Sequence, residues 1–204
     1  MLQRLVRQFS GPQGPLGHVA GWLMVRQNQD ANAWLVELLG AGPEDHVLEV
    51  GFGPGLAVER NAARAAFVAG VDHSPLMVRK AAARVAGALR EGRIDLRHAS
   101  AEALPFADGR FTRAMALNSL QCWPSAEAGL REIHRVLAPG GRLALGQRLR
   151  KEGAGRFDRS RFGMTEERLA ALVTTLASVG FRDAAVARRT IADEAVAALT
   201  AVRR

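Results

Sequence analysis

The sequence predicts a doubly wound, Rossmann-like α/β fold, with seven mostly parallel strands in one sheet and helices on both faces. The first observation behind this prediction is an alternation, from residue 46 onward, of short apolar runs with stretches of helical spacing. The second is the set of glycine and proline turns between them. The third is the length of 204 residues, which suits one hydrophobic core. We expect a single domain over 1–204, with a helical N-terminal lid at 1–40 and a Rossmann-like core at 45–204.

The elements follow one another in a regular order. The predicted strands lie at 46–50, 67–71, 94–97, 113–117, 142–146, 182–189 and 195–202. The predicted helices lie at 18–39, with a break near 28–32, and at 55–66, 75–90, 125–137 and 165–178. Pro75 suits the first turn of its helix, and Thr165 and Gly180 suit the two ends of the last helix. A Pro-Gly-Gly turn at 139–141 precedes the fifth strand.

The composition is that of an ordinary globular protein, with 48% hydrophobic and 24% charged residues. No apolar run reaches the roughly 18 residues that a membrane span needs, and the N-terminus lacks the features of a secretory signal. The single cysteine, Cys122, excludes an internal disulfide and a multi-cysteine metal site. We therefore expect a soluble, cytoplasmic protein with no bound metal and no membrane partner.

The net charge of +8 raises the question of a polyanionic partner. Only two of the 28 basic residues are lysines, and the charges are scattered, which is also typical of a composition bias. The densest basic stretch, at 148–161, includes Arg150 and Arg156. Two interpretations of this stretch stay open: a solvated basic loop, or a rim that attracts an anionic substrate.

A glycine-rich turn follows the first strand, at the edge of the sheet where doubly wound proteins bind ligands. Gly51, Gly53 and Gly55 stand at alternate positions, and Glu49 precedes the first of them by two residues. Glycine permits a sharp turn and a close approach of a ligand, at which the N–H groups of the next helix point. The dinucleotide fingerprint needs glycine at the position of Leu56, so an NAD enzyme is disfavoured. A plain tight turn is the alternative interpretation.

An acidic residue, Asp72, follows the second strand, 21 residues beyond Gly51. An aspartate at this place can accept hydrogen bonds from both hydroxyls of a ribose. It could also cap the next helix, although Ser74 suffices for that role. The glycine-rich turn and this carboxylate together predict a site for a nucleoside-containing cofactor.

Four segments of the chain resemble one protein family, and they occur in the order that the predicted strands require. The segments are VLEVGFGPG at 47–55, GVDHSPLMVRKA at 70–81, SAEALPFADGRF at 100–111 and EIHRVLAPGGRLAL at 132–145. Together they are similar to the class I S-adenosylmethionine-dependent methyltransferases, of the small-molecule kind called type 11. The resemblance spans about 45–146.

This resemblance implies S-adenosylmethionine as the cofactor and assigns roles by position. The residues implied in cofactor binding are Glu49, Gly51, Gly53, Gly55, Asp72, His73, Met77, Ser100, Ala101, Glu102 and Asn118. The first four would shape the methionine end, whose amine the backbone of Asn118 would approach. Asp72 would hold the ribose, and the other five would line the adenine and its edge. Ser100 stands where the family often has aspartate.

The implied reaction is the in-line transfer of a methyl group to a small molecule, for which positioning of the acceptor matters most. A general base is needed only if the acceptor holds its proton, and the sequence offers no clear base. His18 is the candidate, with a surface histidine as the alternative. Trp22, Trp123, Arg150 and Arg156 are the candidates for contacts with the acceptor. An apolar lid and a basic loop therefore predict a partly apolar, anionic acceptor.

Two other interpretations stay open, and a third is disfavoured. An RNA methyltransferase would suit the charge, but the sequence at 118–121 lacks the Pro-Pro-aromatic segment of base-methylating enzymes, so nucleic acid is not the expected partner. A catalytically inactive, cofactor-binding partner subunit would keep the same motifs. Cys122 as a nucleophile is disfavoured because Gln121, and not proline, precedes it. The sequence leaves the choice between a monomer and a homodimer open.

Overall fold

The computed structural model describes residues 28–151, 153, 160 and 163–204. The described chain begins with helix α1 over 28–39, which runs without interruption through 28–32. The side chain of Asn32 donates to the carbonyl oxygen of Asn28 at 2.9 Å, one turn earlier in this helix. Within the described residues the expected break near 28–32 is therefore absent.

Seven strands form one sheet, and the predicted doubly wound α/β fold is confirmed. The strands are β1 His46–Val50, β2 Phe67–Asp72, β3 Ile94–His98, β4 Phe111–Leu117, β5 Leu137–Arg148, β6 Phe181–Ile191 and β7 Glu194–Arg203. Their order across the sheet is β3-β2-β1-β4-β5-β7-β6. Strands β1 to β5 pair in parallel, whereas β7 pairs antiparallel with β5 and β6. Strand order reverses at β1, so the carboxyl ends of β1 and β4 flank the switch point where ligands bind in such sheets.

Helices cover both faces of the sheet. After α1 they are α2 Leu56–Ala62, α3 Pro75–Arg84, α4 Ala86–Arg90, α5 Ala126–Val136 and α6 Glu166–Val179, with a short 3-10 turn at Leu120–Cys122. Thr165 and Gly180 cap α6 as predicted, the first by accepting the N–H of Arg168 and the second in a left-handed conformation. Among the helices of the described residues, none has the length and apolarity to cross a membrane.

Each face of the sheet has its own hydrophobic core, because successive strand residues point to opposite faces. On β1, Val47 belongs to the cluster that contains Leu35 of α1 and Val58 of α2. The next residue, Leu48, belongs to the cluster that contains Leu130 of α5. Both faces of β1 are therefore buried, which explains why its sequence is apolar without alternation.

Several boundaries differ from the sequence prediction, and two of the differences have a clear structural cause. Strand β5 begins at Leu137, because Leu137 pairs with Phe111 before the predicted turn at 139–141 shifts the register. The turn is therefore a bulge inside the strand and not its beginning. The predicted helix at 75–90 is interrupted at Val85, whose φ of −106° and ψ of 24° are not helical, and this divides it into α3 and α4.

A guanidinium on α5 fixes the chain between β3 and β4. Arg135 donates to the carbonyl oxygens of Leu104 at 3.0 Å and Phe106 at 2.9 Å. It also lies 2.6 Å from the carboxylate of Asp108 and 2.7 Å from that of Glu132. These hydrogen bonds raise the pKa of Arg135 and hold the segment 104–108 against the helix.

Replacing Arg135 with methionine should lower the free energy of unfolding by about 2–3 kcal/mol, because two partly buried carbonyls and two carboxylates lose a charged donor. Urea unfolding followed by circular dichroism measures this loss. Arg131→Met is the control, because Arg131 is exposed on the same helix and, among the described residues, pairs with Glu127 alone, four residues earlier. The control should change stability by less than about 0.5 kcal/mol, and an equal loss in both variants would contradict the structural role of Arg135.

Candidate functional site

The three glycines of the turn after β1 have positive φ values of 77°, 54° and 82°, but they differ in what surrounds them. A Cβ on Gly51 would lie 2.4 Å from the Cβ of Ser119, and one on Gly55 would lie 2.7 Å from the Cβ of Ala81. At Gly53, apart from the residue itself and its two chain neighbours, no heavy atom of the described chain lies within 4 Å of the Cβ position. Two of the glycines therefore permit close packing, whereas the third faces open space.

Asp72, at the end of β2, is buried and fixes the turn. Its two carboxylate oxygens accept the backbone N–H groups of Gly53 and Ser74, each at 2.8 Å. Ser74 is the cap of helix α3, since its side chain accepts the N–H of Met77. The capping role that the sequence left open for Asp72 thus belongs to Ser74. Each Asp72 oxygen keeps one lone pair for a further donor.

A second carboxylate, that of Glu49, lies buried at the end of β1. The Glu49 side chain is 3% exposed, and its Oε2 has no hydrogen-bond partner among the described residues. Burial, together with the negative charge of Asp72, raises the pKa of Glu49 well above its usual range. Burial also raises the pKa of Asp72, although the N–H groups of Ser74 and Gly53 lower it again. The site therefore favours a ligand that brings positive charge and hydrogen-bond donors.

The end of β3 lies beside the end of β2. The Nε2 of His98 donates to the carbonyl oxygen of His73 at 2.9 Å, and the N–H of Ala99 donates to that of Asp72 at 3.2 Å. Ser100 accepts the N–H of Glu102 at 3.2 Å, which closes a turn at this edge. The predicted adenine segment is thereby brought next to Asp72.

The other predicted adenine residues differ in exposure. The side chain of His73 is half exposed, whereas Met77 is 2% and Ala101 is 8% exposed. Of these three, His73 offers the largest surface for a ligand to contact.

Asn118, directly after β4, has a positive φ of 50°, which is uncommon for a residue with a side chain. Its N–H donates to Gly146, and its Oδ1 accepts the N–H of Arg148, both at 2.8 Å. Its Nδ2 donates to the Oδ1 of Asn28 on α1 at 3.3 Å. The side-chain amide of Gln121 donates to the Asn118 carbonyl at 2.6 Å. That carbonyl, which the resemblance places near the methionine amine, therefore already has one donor.

The candidates for the acceptor site are only partly within the described structure. His18, Trp22 and Arg156 lie outside the described residues. Trp123 packs against α5, where a Cβ on Gly129 would lie 2.5 Å from the indole. Arg150 is exposed, and its N–H donates to the carbonyl oxygen of Met164 at 2.8 Å.

Cys122 lies near the carboxylate of Asp72. Burial and the negative charge of Asp72 raise the pKa of this thiol, so the reactive thiolate is disfavoured. The structure thus gives a physical reason, besides the preceding residue, against a nucleophilic role for Cys122.

Three contacts of the site were missed by the sequence analysis. Ser119 supports Gly51 and donates to the carbonyl oxygen of Val50 at 2.9 Å. Arg84 donates to the carbonyl oxygen of Pro54, and Asn28 contacts Asn118. The contact of Arg84 could have been predicted from the sequence. Arg84 follows Ala81 by three residues, so both lie on one face of a helix that begins beside the site.

Comparisons with known proteins agree with this geometry. A family model described as a methyltransferase domain matches residues 48–145. The uncharacterized methyltransferase YdaC of Bacillus subtilis is 29% identical over 185 residues, which cover 90% of this chain and 97% of YdaC. The ubiquinone/menaquinone biosynthesis C-methyltransferase UbiE of Geotalea daltonii is 32% identical over 113 residues, or 54% of this chain and 48% of UbiE. The chain thus matches about half the length of UbiE.

A solved structure shows the same fold. The geranyl diphosphate C-methyltransferase of Streptomyces coelicolor, crystallised with S-adenosyl-L-homocysteine, superposes with a TM-score of 0.71 at 15% identity. The superposition covers 88% of this chain and 81% of that one.

The chain is a doubly wound α/β protein, with a glycine-rich turn and two buried carboxylates at the carboxyl ends of β1 and β2. The matches to the family model and to YdaC support a class I S-adenosylmethionine-dependent methyltransferase for this chain. Its residues fit that cofactor, since the unpartnered Oε2 of Glu49 and the open side of Gly53 suit a cationic group and a bulky nucleoside.

Proposed function

We propose that this methyltransferase binds S-adenosylmethionine against the turn at 51–55 and methylates a small molecule by in-line displacement. The observation that carries the proposal is the pair of buried carboxylates, Glu49 and Asp72, beside the open side of Gly53. When bound, the cofactor supplies an electrophilic methyl group on a positively charged sulfur, with a neutral thioether as the leaving group. Two buried carboxylates suit this charge and disfavour the phosphates of a dinucleotide.

The residues at the ends of β1 and β2 have separate tasks in this proposal. Asp72 accepts the ribose hydroxyls with the lone pairs that Gly53 and Ser74 leave unused. Glu49 and the carbonyl of Asn118 accept the ammonium group of the methionine end. Gly51 and Gly55 maintain the shape of the turn, while Gly53 leaves room for the ligand.

The residues after β2 and β3 hold the adenine. His73 and Met77 are proposed to line its face, and the turn at 100–102 to meet its edge. Ser100 keeps this turn closed through its bond to the N–H of Glu102, which supports a hydrogen-bonding role without the aspartate common in the family.

For the acceptor we propose a partly apolar, anionic small molecule, methylated in the cytoplasm. The exposed Arg150 at the edge of the basic loop supports the anionic character. The relative UbiE, which acts in ubiquinone and menaquinone biosynthesis, supports a small molecule. Trp22, Trp123 and Arg156 remain the further candidates for acceptor contacts, and His18 remains the candidate for a general base.

The proposal predicts that wild-type protein binds S-adenosylmethionine with micromolar affinity and that Asp72→Ala binds at least about 100-fold more weakly. The loss arises because two ribose hydroxyls lose their acceptor and the turn loses its bond to Gly53. Calorimetric titration measures both affinities. Asp95→Ala is the control, since Asp95 pairs with Arg97 on β3.

The same titration with NAD tests the rival cofactor. Tighter binding of NAD than of S-adenosylmethionine by the folded wild type, or full affinity in the Asp72 variant, would contradict the proposal.

A further inference from the structure

Helix α3 holds the glycine-rich turn through an arginine. The Nε of Arg84 donates to the carbonyl oxygen of Pro54 at 3.0 Å. Its Nη1 lies 3.1 Å from the Oε2 of Glu59, in the first turn of α2. Pro54 stands between Gly53, which faces open space, and Gly55, which packs on α3, so the guanidinium holds the backbone directly after Gly53.

A second residue of α3 supports the turn from the same helix face. Ala81 precedes Arg84 by three residues and is fully buried. A Cβ on Gly55 would lie 2.7 Å from its Cβ, so the backbone of Gly55 packs directly on the helix. On the other side, the carboxylate of Asp72 accepts the N–H of Gly53 at 2.8 Å. The turn is therefore held by Asp72, Ala81 and Arg84, in addition to Ser119 at Gly51.

The turn needs such support because glycine restricts the backbone little. Gly51, Gly53 and Gly55 all have positive φ values, a region that glycine enters and leaves at small cost. A ligand that binds a mobile turn loses affinity, because binding must then also order the backbone. Among the described residues, Arg84 is the one hydrogen-bond donor to the Pro54 carbonyl.

We infer that Arg84 is a positioning residue for the cofactor, which it does not have to touch. The bond from Arg84 to the Pro54 carbonyl maintains the hydrogen bond between the N–H of Gly53 and Asp72. It also keeps the open side of Gly53 directed toward the ligand. This inference rests on the proposed function, since it names a residue that maintains the proposed cofactor site.

The test is Arg84→Met, which keeps an unbranched stem and removes the guanidinium donors. The dissociation constant for S-adenosylmethionine, measured by calorimetry, should rise about fivefold to tenfold. Hydrogen exchange of the Gly53 amide in the cofactor-free protein should become faster, because its bond to Asp72 opens more often. Thermal stability should change little, since Arg84 is exposed at the surface and its ion pair contributes little.

Two matched variants separate positioning from charge. Glu59→Gln removes the ion pair but leaves the bond to Pro54, so it should bind and exchange like the wild type. Arg79→Met removes the same charge from an exposed position of α3 and should also bind normally. Unchanged affinity and Gly53 exchange in Arg84→Met, or an equal loss in Arg79→Met, would overturn the inference. Failure of the wild type to bind S-adenosylmethionine would refute the proposed function instead, and Gly53 exchange would still test the role of Arg84.

Discussion

Replacing Gly51 with alanine is expected to lower the free energy of unfolding by about 3–5 kcal/mol and the Tm by roughly 10 °C. The new Cβ would lie 2.4 Å from the Cβ of Ser119 and 2.8 Å from its hydroxyl oxygen. Ser119 cannot turn away without loss, because its hydroxyl donates to the carbonyl oxygen of Val50 at 2.9 Å. The φ of 77° adds about 1–2 kcal/mol for any residue that carries a Cβ.

Gly53→Ala is the matched variant, since Gly53 also has a positive φ, of 54°, but faces open space. Its stability should fall by only about 1 kcal/mol, whereas binding of S-adenosylmethionine should weaken at least about tenfold. Urea unfolding and calorimetry measure the two effects. A Gly51→Ala variant as stable as the wild type would contradict the close packing on Ser119. Normal cofactor binding by Gly53→Ala would contradict the proposed position of the ligand.

The strands were predictable where local properties determine them. Strand β1 has the predicted bounds, and β2 extends the prediction by one residue, because each is a short apolar run that ends beside a polar or glycine turn. Strand β5 was predicted five residues too late, since its beginning depends on the pairing of Leu137 with Phe111. That pairing joins residues 26 positions apart, which local periodicity does not record.

In the candidate site, too, some features were predictable from the sequence and others were not. The proximity of Gly53 and Asp72 could be predicted, because both follow parallel strands that are neighbours in a doubly wound sheet. The separate roles of the three glycines could not be predicted. These roles depend on Ser119 and Ala81, which are distant from the turn in sequence. The three glycines therefore share one sequence pattern but differ in the side chains that pack against them.

Replacing Glu49 with glutamine is expected to stabilise the cofactor-free protein by about 1–3 kcal/mol at pH 8. Burial, and then the charge of Asp72, raise the pKa of Glu49 well above the ordinary value of 4.5. In the pH window between the pKa of Glu49 in the unfolded chain and its higher pKa in the folded protein, the folded protein binds more protons. Its stability therefore falls as the pH rises through this window. Glutamine has no proton to lose, and the gain should therefore be larger at pH 8 than at pH 5.

Thermal unfolding at both pH values measures this gain. Glu44→Gln is the control, because Glu44 is exposed just before β1 and its replacement makes the same change in charge. The control should have the same small effect at both pH values. A gain for Glu49→Gln that does not grow with pH would contradict the burial of an ionised carboxylate at this position.

The same substitution should weaken the binding of S-adenosylmethionine about tenfold, because the site loses a buried negative charge that faces a cationic ligand. A cationic ligand favours the ionised form of Glu49, so binding to the wild type should release protons. Calorimetric titrations in two buffers of different ionisation enthalpy measure that release. Glu49→Gln should release fewer protons, with any remainder coming from Asp72, whose pKa is also raised by burial. Equal affinity and equal proton release in the wild type and in Glu49→Gln would contradict a contact between Glu49 and the positive charge of the ligand. Asp72 would then be the carboxylate that binds this charge.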